Sequence, residues 1–287
     1  MTDSTLSLLR WLAAHDVPRR MVLLCPDAPV PDIGRGAVAV RLTGCVADAS
    51  IGLPAQLLAC GVGEVAVVIC GDRAEEVRAL GERWRATIVT GVEIVESPPP
   101  PGRWRKAPEV LTLGAIPVSR RGLLGLAGAG PFPLDLDGDD TARTLAALDL
   151  LRARGQAVLE VREESPARAL AVDGCTACGV CVHACPHDAL SLTHDGAVSK
   201  LVHLRDACRG ELDCMRLCPM EAISDGGPIP FDDLAGEPGR VLAAVATTAC
   251  PRCQARHAGG RGTYCAACAF RVANPFGTSA PPGAKRS

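Results

Sequence analysis

The chain has 287 residues, enough for about two domains, and its 30 basic and 32 acidic side chains leave a net charge of −2. That balance offers no basic surface for nucleic acid or an anionic membrane, and aromatics at 3% are too few for a base-stacking platform. With 48% apolar and 22% charged residues the composition is globular, and 15 cysteines set it apart, most of them between Cys175 and Cys268.

The beginning, MTDSTLSLLRWLAAHD, has neither a basic n-region nor a small-residue cleavage site and does not read as a signal peptide. No apolar run reaches the roughly 18 residues of a membrane span. A cytoplasmic location without a membrane span is therefore expected. Clustered thiols there stay reduced and read as metal ligands before disulfides.

In chain order, Met21-Val22-Leu23-Leu24, residues 38–42 (apart from Arg41) and residues 65–69 are apolar runs, as strands buried on both faces are. Residues 51–60 and 72–84 read as helices, the second with Asp72 as N-cap. A fourth strand is expected over 87–95. The alternation predicts an α/β lobe over 1–97 with a short parallel sheet. Cys25, Cys45 and Cys70 each follow the end of a strand, where open α/β sheets place ligands. Cys60 ends a helix. These four read as small buried hydrophobes, as a two-iron site, or as a redox-reactive thiol. The stretch VRLTGCVADASIGLPAQLLACGVGEVAVVICGD resembles the small iron–sulfur subunit of methyl-viologen-reducing hydrogenases, and the resemblance implies a two-iron cluster at such strand ends. It departs at Pro26-Asp27-Ala28 and Gly71-Asp72-Arg73, which supply no second cysteine beside Cys25 or after Cys70.

Prolines 98–101 open a segment, 98–166, read as linker and connecting helix. Arg103-Trp104-Arg105-Lys106 is a short basic patch that reads as a solvated face or as a docking point for an acidic partner. Ser119-Arg120-Arg121-Gly122-Leu123-Leu124 has the form of a twin-arginine export signal, but it is internal and Pro131 and Pro133 break its apolar stretch. It reads as a buried or linker turn. The helix is expected over 140–154, with Leu145, Leu148 and Leu151 on one face and Gly155 as its stop.

Cys175-Thr-Ala-Cys178-Gly-Val-Cys181-Val-His-Ala-Cys185-Pro186 is C-x2-C-x2-C-x3-C-P, a spacing that presents soft thiolates to an iron–sulfur cubane. Cys208-Arg-Gly-Glu211-Leu-Asp-Cys214-Met-Arg-Leu-Cys218-Pro219 repeats it with Glu211 at the second ligand position. Both runs continue alike, through Ala189-Leu190 and Ala222-Ile223, so the segment is an internal duplication. A hairpin across His194-Asp195-Gly196 joins the halves. The pair resembles the bacterial two-cluster ferredoxins over residues 168–225, within a dicluster domain expected at 167–228. In that family each fourth cysteine serves the other cluster. The resemblance thus implies Cys175, Cys178, Cys181 and Cys218 for a 4Fe–4S cluster, and Cys185, Cys208 and Cys214 for a second. At the second, a 3Fe–4S cluster, a 4Fe–4S cluster with Glu211 or water on one iron, and an empty site all stay open. His183, His187, His194 and His203 read as surface or hydrogen-bonding residues, since thiolates suffice.

Cys250-Pro-Arg-Cys253 and Cys265-Ala-Ala-Cys268 are two knuckles with the four thiolates of a zinc ribbon, expected over 245–273. So short a piece lacks a core and needs a metal to fold. Zinc, a rubredoxin-like iron and a metal-free form are the alternatives. Arg252, Arg256, Arg261 and Arg271 are too scattered for nucleic acid, so the piece reads as structural or partner-docking. Residues 274–287 read as a disordered tail.

No dinucleotide fingerprint, phosphate loop or nucleophile–base pair occurs. The expectation is an iron–sulfur electron-transfer protein, a ferredoxin-like wiring subunit of a larger cytoplasmic redox enzyme without a catalytic centre of its own. Its partner would be a redox protein or enzyme complex. The alternative is a redox- or iron-sensing interaction protein that uses the second cluster as its switch.

Overall fold

Three apolar runs of the N-terminal part form the centre of a parallel sheet, because strands flanked on both faces have no solvent side to alternate toward. The computed structural model describes residues 4–71, 73–96, 109–116, 132–158, 160–235, 239–260 and 262–275. They divide into two units, 1–163 and 164–287.

In the first unit, helix α1 (Ser4–Ala14) precedes β1 (Arg20–Leu24), β2 (Ala37–Arg41), α2 (Gly52–Ala59), β3 (Glu64–Val68), α3 (Ala74–Thr87) and β4 (Val92–Val95). The fifth strand, β5, is Glu109–Thr112, and the order is β4-β3-β1-β2-β5, parallel throughout. From β1 the chain moves to β2 on one side, then returns past β1 to β3 on the other. The switch point therefore lies at the carboxyl ends of β1 and β3, where such sheets make a crevice. Met21, Leu23, Ala39, Val40 and Val65 to Val67 are fully buried. Ala28, Val30 and Ile33, in the loop after β1, cover one face.

The expectation over 87–95 shifts: α3 runs to Thr87, Ile88 makes an isolated bridge with Ala157, and the strand starts at Val92. Gly81 lets α3 press onto β4, since a Cβ there would lie 2.6 Å from Ile94 Cγ1.

The segment 98–166 is more than a linker. Its strand β5 pairs with β2, which would otherwise leave an open edge. Its helix α4 (Asp140–Ala153), capped by Asp139 accepting from the Ala142 amide, packs on α2. The buried face of α4 carries Thr141, Arg143, Thr144, Ala147, Leu148 and Leu151, while Leu145 is half-buried. Polar members are tolerated because Gln56, itself buried, donates to Thr144 Oγ1 and Asp140 Oδ1, both at 3.0 Å, and accepts from Arg143 Nε at 3.3 Å. Replacing Gln56 by Leu removes three bonds from this buried network, while Thr144 keeps its bond to the Asp140 carbonyl and Arg143 its bond to the Gly138 carbonyl. The expected cost is about 1–3 kcal/mol, read as a lower urea midpoint at unchanged m-value. A shift within about 0.5 kcal/mol would refute the network's role.

The cap expected at Asp72, the prolines 98–101, the basic patch 103–106, the twin-arginine-like segment 119–124 and the tail from 276 lie outside the described residues.

The second unit pairs β6 (Glu164–Val172) with β9 (Ile223–Pro230) and folds β7 (Leu190–Asp195) against β8 (Val198–His203). The loop between β7 and β8 is Gly196-Ala197, with Gly196 at φ 55, the glycine-first form of a two-residue hairpin. Short helices α5 (Val180–Ala184) and α6 (Asp213–Arg216) lie within the two cysteine runs and carry Cys181 and Cys214, and α7 (Asp232–Ala235) follows β9. Strand β10 (Arg240–Ala249) adds to β8, and β11 (Arg256–Ala258) adds to β10. The knuckle region is thus continuous with the sheet of the dicluster segment, because β8 offers an unpaired edge that β10 satisfies. Helix α8 (Ala266–Ala273) closes the described chain.

Candidate metal centres

The two cysteine runs are related by a constant offset that also appears in the backbone. Left-handed residues fall at equivalent places: Ala177 and Gly210, Gly179 and Leu212, Asp188 and Glu221. The amides of Ala189 and Ala222 donate alike to Cys185 Sγ and Cys218 Sγ, each at 3.4 Å. Left-handed turns aim successive amides at one point, which suits thiolate and sulfide charge. Residue types gave no signal for Ala177, Leu212, Asp188 or Glu221, since none is a glycine.

Cys175, Cys178 and Cys181 line one apolar-walled pocket together with Cys218, a residue of the second run. Cys181 and Cys214 sit in the core among Leu170, Leu190, Leu201 and Ile223. Burial pushes the Cys181 thiol up to about 11, and the neighbouring Cys178, Cys175, Cys214 and Cys218 add to it. Cys214 is also raised, first by burial; the Met215 amide opposes this, and the charges of Cys185 and Cys208 reinforce it. Thiols so crowded and buried favour sharing their charge with a cation. Among the described residues, three or more ligand atoms within 4.8 Å of one another occur only at two other places. The dicluster thiols are held too widely for one ion, as a polynuclear cluster requires.

Glu211, at the place of the missing cysteine, is half-exposed, and its Oε1 lies 3.2 Å from His187 Nε2. This pair was not foreseen. His183 is exposed, and His194 Nδ1 lies 2.7 Å from Ser199 Oγ, so neither stands among the thiols.

Of the two expectations for His203, surface or hydrogen-bonding residue, the surface one does not hold. It is 1% exposed at the end of β8, and burial, with Arg205 and Arg240 nearby, lowers its pKa to about 4. The unfolded chain takes up a proton near pH 6.5 while the folded one does not. Stability is therefore full above pH 6.5 and declines as pH falls toward 4, by about 3 kcal/mol at most. His203→Gln is expected to flatten that limb of the denaturation profile relative to the parent. Parallel profiles would refute the assignment.

At the C-terminal knuckles all four sulfurs of Cys250, Cys253, Cys265 and Cys268 lie within 4.8 Å of one another, with Cys253 and Cys265 3.6 Å apart. A tetrahedral thiolate site with bonds of about 2.3 Å separates its sulfurs by about 3.8 Å, so the four could hold one ion. Burial raises the Cys250 thiol, but the amides of Cys265, Cys253 and Arg252 outweigh it and hold it at about 6. Cys268 is pushed up to about 12 by burial and by the other three thiols. The second knuckle opens helix α8, with Cys265 as its N-cap, where a ribbon would continue as a strand.

In the first unit the structure brings together Cys25, Cys45 and Cys70. It does not bring Cys60 to them. Cys60 caps the carboxyl end of α2 and precedes β3, so it lies at the amino ends of the strands, opposite the other three. Burial pushes its thiol to about 12 against the opposing charge of Arg154.

The profile of a 4Fe-4S dicluster domain matches residues 174–222. A ferredoxin of Pyrobaculum islandicum (strain DSM 4184 / JCM 9189 / GEO3) is 42% identical over 52 residues, covering 18% of this chain and 46% of the ferredoxin. The chain spans about half the length of the curated relative it matches. Residues 174–222 are a ferredoxin-like dicluster module, and the fold is mixed α/β with a parallel sheet. Among the described residues no helix is long and apolar enough to cross a membrane.

Proposed function

From a chain that carries a ferredoxin-like dicluster module, we propose an electron-transfer protein that serves as a wiring subunit of a larger cytoplasmic redox enzyme. The observation that carries this reading is the crossing of the repeats: Cys218 of the second run shares its pocket with Cys175, Cys178 and Cys181 of the first. These four would hold a 4Fe–4S cluster, and Cys185, Cys208 and Cys214, with Glu211 at the fourth corner, would hold the second. Clusters tied through shared chain segments form a short relay, useful where electrons both enter and leave. Cys178 is exposed, and Val180, Leu217 and Met220 present apolar surface beside the ligand positions, which suits transient docking of a redox protein. Zinc at Cys250, Cys253, Cys265 and Cys268 would be structural.

One observation favours a sensing role as the second reading: the Glu211–His187 pair is partly exposed, so one corner of the second cluster would be open to solvent. In that reading, loss of the corner iron changes partner binding.

The test is EPR on anaerobically purified protein, oxidised and then reduced by dithionite. Electron transfer predicts complete, reversible reduction without any partner; irreversible bleaching would refute it. A spin-half signal in the oxidised state identifies a 3Fe–4S cluster, and Glu211→Cys is then expected to abolish it and add one iron per chain. Silence when oxidised, with two interacting signals on reduction, identifies two 4Fe–4S clusters, with Glu211 or water on the fourth iron of the second.

A further inference from the structure

The dicluster module leaves unused the three thiols at the carboxyl ends of β1, β2 and β3. Their sulfurs are spaced as around one ion. Cys25 and Cys45 are 3.7 Å apart, Cys45 and Cys70 are 3.6 Å apart, and all three fall within 4.8 Å of one another. Three thiolates on one tetrahedral ion at bonds of about 2.3 Å stand about 3.8 Å apart. A disulfide would need a separation of about 2.05 Å. A two-iron cluster needs four ligands in two pairs, and Cys60 lies at the other, amino end of the strands.

The surroundings hold this geometry. Arg41, at the end of β2, donates through Nη1 to the carbonyls of Cys25 at 3.3 Å, Ala28 at 2.9 Å and Pro26. It thereby clamps the loop that carries Cys25. The Val46 amide donates to Cys25 Sγ at 3.4 Å and fixes the position of that sulfur. The thiols also line an open cleft of about 520 Å³, walled by Pro26 to Pro29 on one side and Gly71 and Arg73 on the other. The cleft lies at the topological switch point, where α/β sheets take ligands.

We propose that Cys25, Cys45 and Cys70 bind one thiophilic divalent cation, zinc in the reduced cell interior, with a fourth coordination position turned to the cleft. Three soft sulfur donors select zinc over hard cations such as magnesium or calcium. A site with three protein ligands and an open fourth position takes a donor from solution, unlike the closed four-thiolate site at the knuckles. The ligand class is a single small donor: water, or an added nitrogen or sulfur base. This inference does not depend on the electron-transfer reading, because the thiols belong to the other unit.

The experiment uses the full-length chain, purified anaerobically and equilibrated with Zn(II), with zinc, iron and acid-labile sulfide counted per chain. Cys45→Ser is expected to lose one zinc with iron and sulfide unchanged, and Cys60→Ser to lose none. Unchanged zinc in Cys45→Ser would overturn the proposal, as would loss of iron and sulfide together, which would identify a two-iron cluster. A Cys25–Cys45 or Cys45–Cys70 disulfide in the parent, seen as a chain two hydrogens lighter, would also overturn it. X-ray absorption at the zinc edge gives a readout independent of folding in the Cys45 variant. In Cys250→Ser/Cys253→Ser the remaining zinc should show three sulfurs at about 2.3 Å and one lighter donor. Four sulfurs, or none, would refute the open three-thiolate site. In that double variant loaded with Co(II), imidazole should shift the ligand-field bands; bands that do not respond would show that no position is open.

Discussion

Cys218→Ser is expected to remove the same cluster as Cys175→Ser, although Cys218 lies in the other half of the duplication. Its sulfur shares the pocket of Cys175, Cys178 and Cys181, and serine offers a harder oxygen that matches iron–sulfide chemistry poorly. The reciprocal pair is Cys185→Ser and Cys214→Ser, which should both disturb the second cluster and leave the first. The readout is EPR of the reduced protein with iron counting: each variant should lose one cluster's share of iron, and the surviving signal should sort the four variants into two crossed pairs. If Cys218→Ser instead matched Cys214→Ser, ligation would be local to each run and the ferredoxin-type relay would fall. Cys181 and Cys214 belong to the core of this unit, so losing either cluster should also lower its stability rather than act on redox behaviour alone.

The second large effect is expected at the knuckles. Among described residues 250–275, the buried side chains are Cys250, Ala258 and Cys268, so the interior of this piece consists largely of ligand sulfur. A structural zinc in so small a fold contributes an apparent 10–16 kcal/mol, roughly. Cys268→Ser, or a strong chelator at neutral pH, should therefore abolish hydrogen-exchange protection across β11 and α8. Protection should persist in the part of β10 that pairs with β8, from Arg240 to Ala246, because backbone pairing there needs no metal. Equal protection before and after chelation would mean that the piece folds without an ion. An iron-type visible spectrum lost on chelation would replace zinc by iron and keep the structural role.

What could be read from the chain alone is what depends on local spacing. The C-x2-C-x2-C-x3-C-P run, its altered copy with Glu211 and the two C-x2-C knuckles specify tight loops, and tight loops bring their own sulfurs together whatever surrounds them. The apolar runs at 21–24, 38–42 (broken only by Arg41) and 65–69 likewise read as strands buried on both faces, for want of a regular polar alternation.

Tertiary structure decided the rest, because it depends on partners far away in sequence. That residues 109–112 complete a sheet instead of lying in a linker follows from the open edge of β2. That helix 140–153 belongs to the first unit follows from a buried polar network with Gln56. That the knuckles share a sheet with the dicluster segment follows from the free edge of β8. His203 could not be known as buried until β10 covered its strand. The four N-terminal cysteines show the division most clearly. All four stood out as cysteines, yet the adjacency of parallel β3, β1 and β2 gathers Cys25, Cys45 and Cys70 at the carboxyl ends of the strands, while Cys60, before β3, lies at their amino ends. The sequence places each thiol at the end of its element, and the path of the chain between elements determines which ends meet.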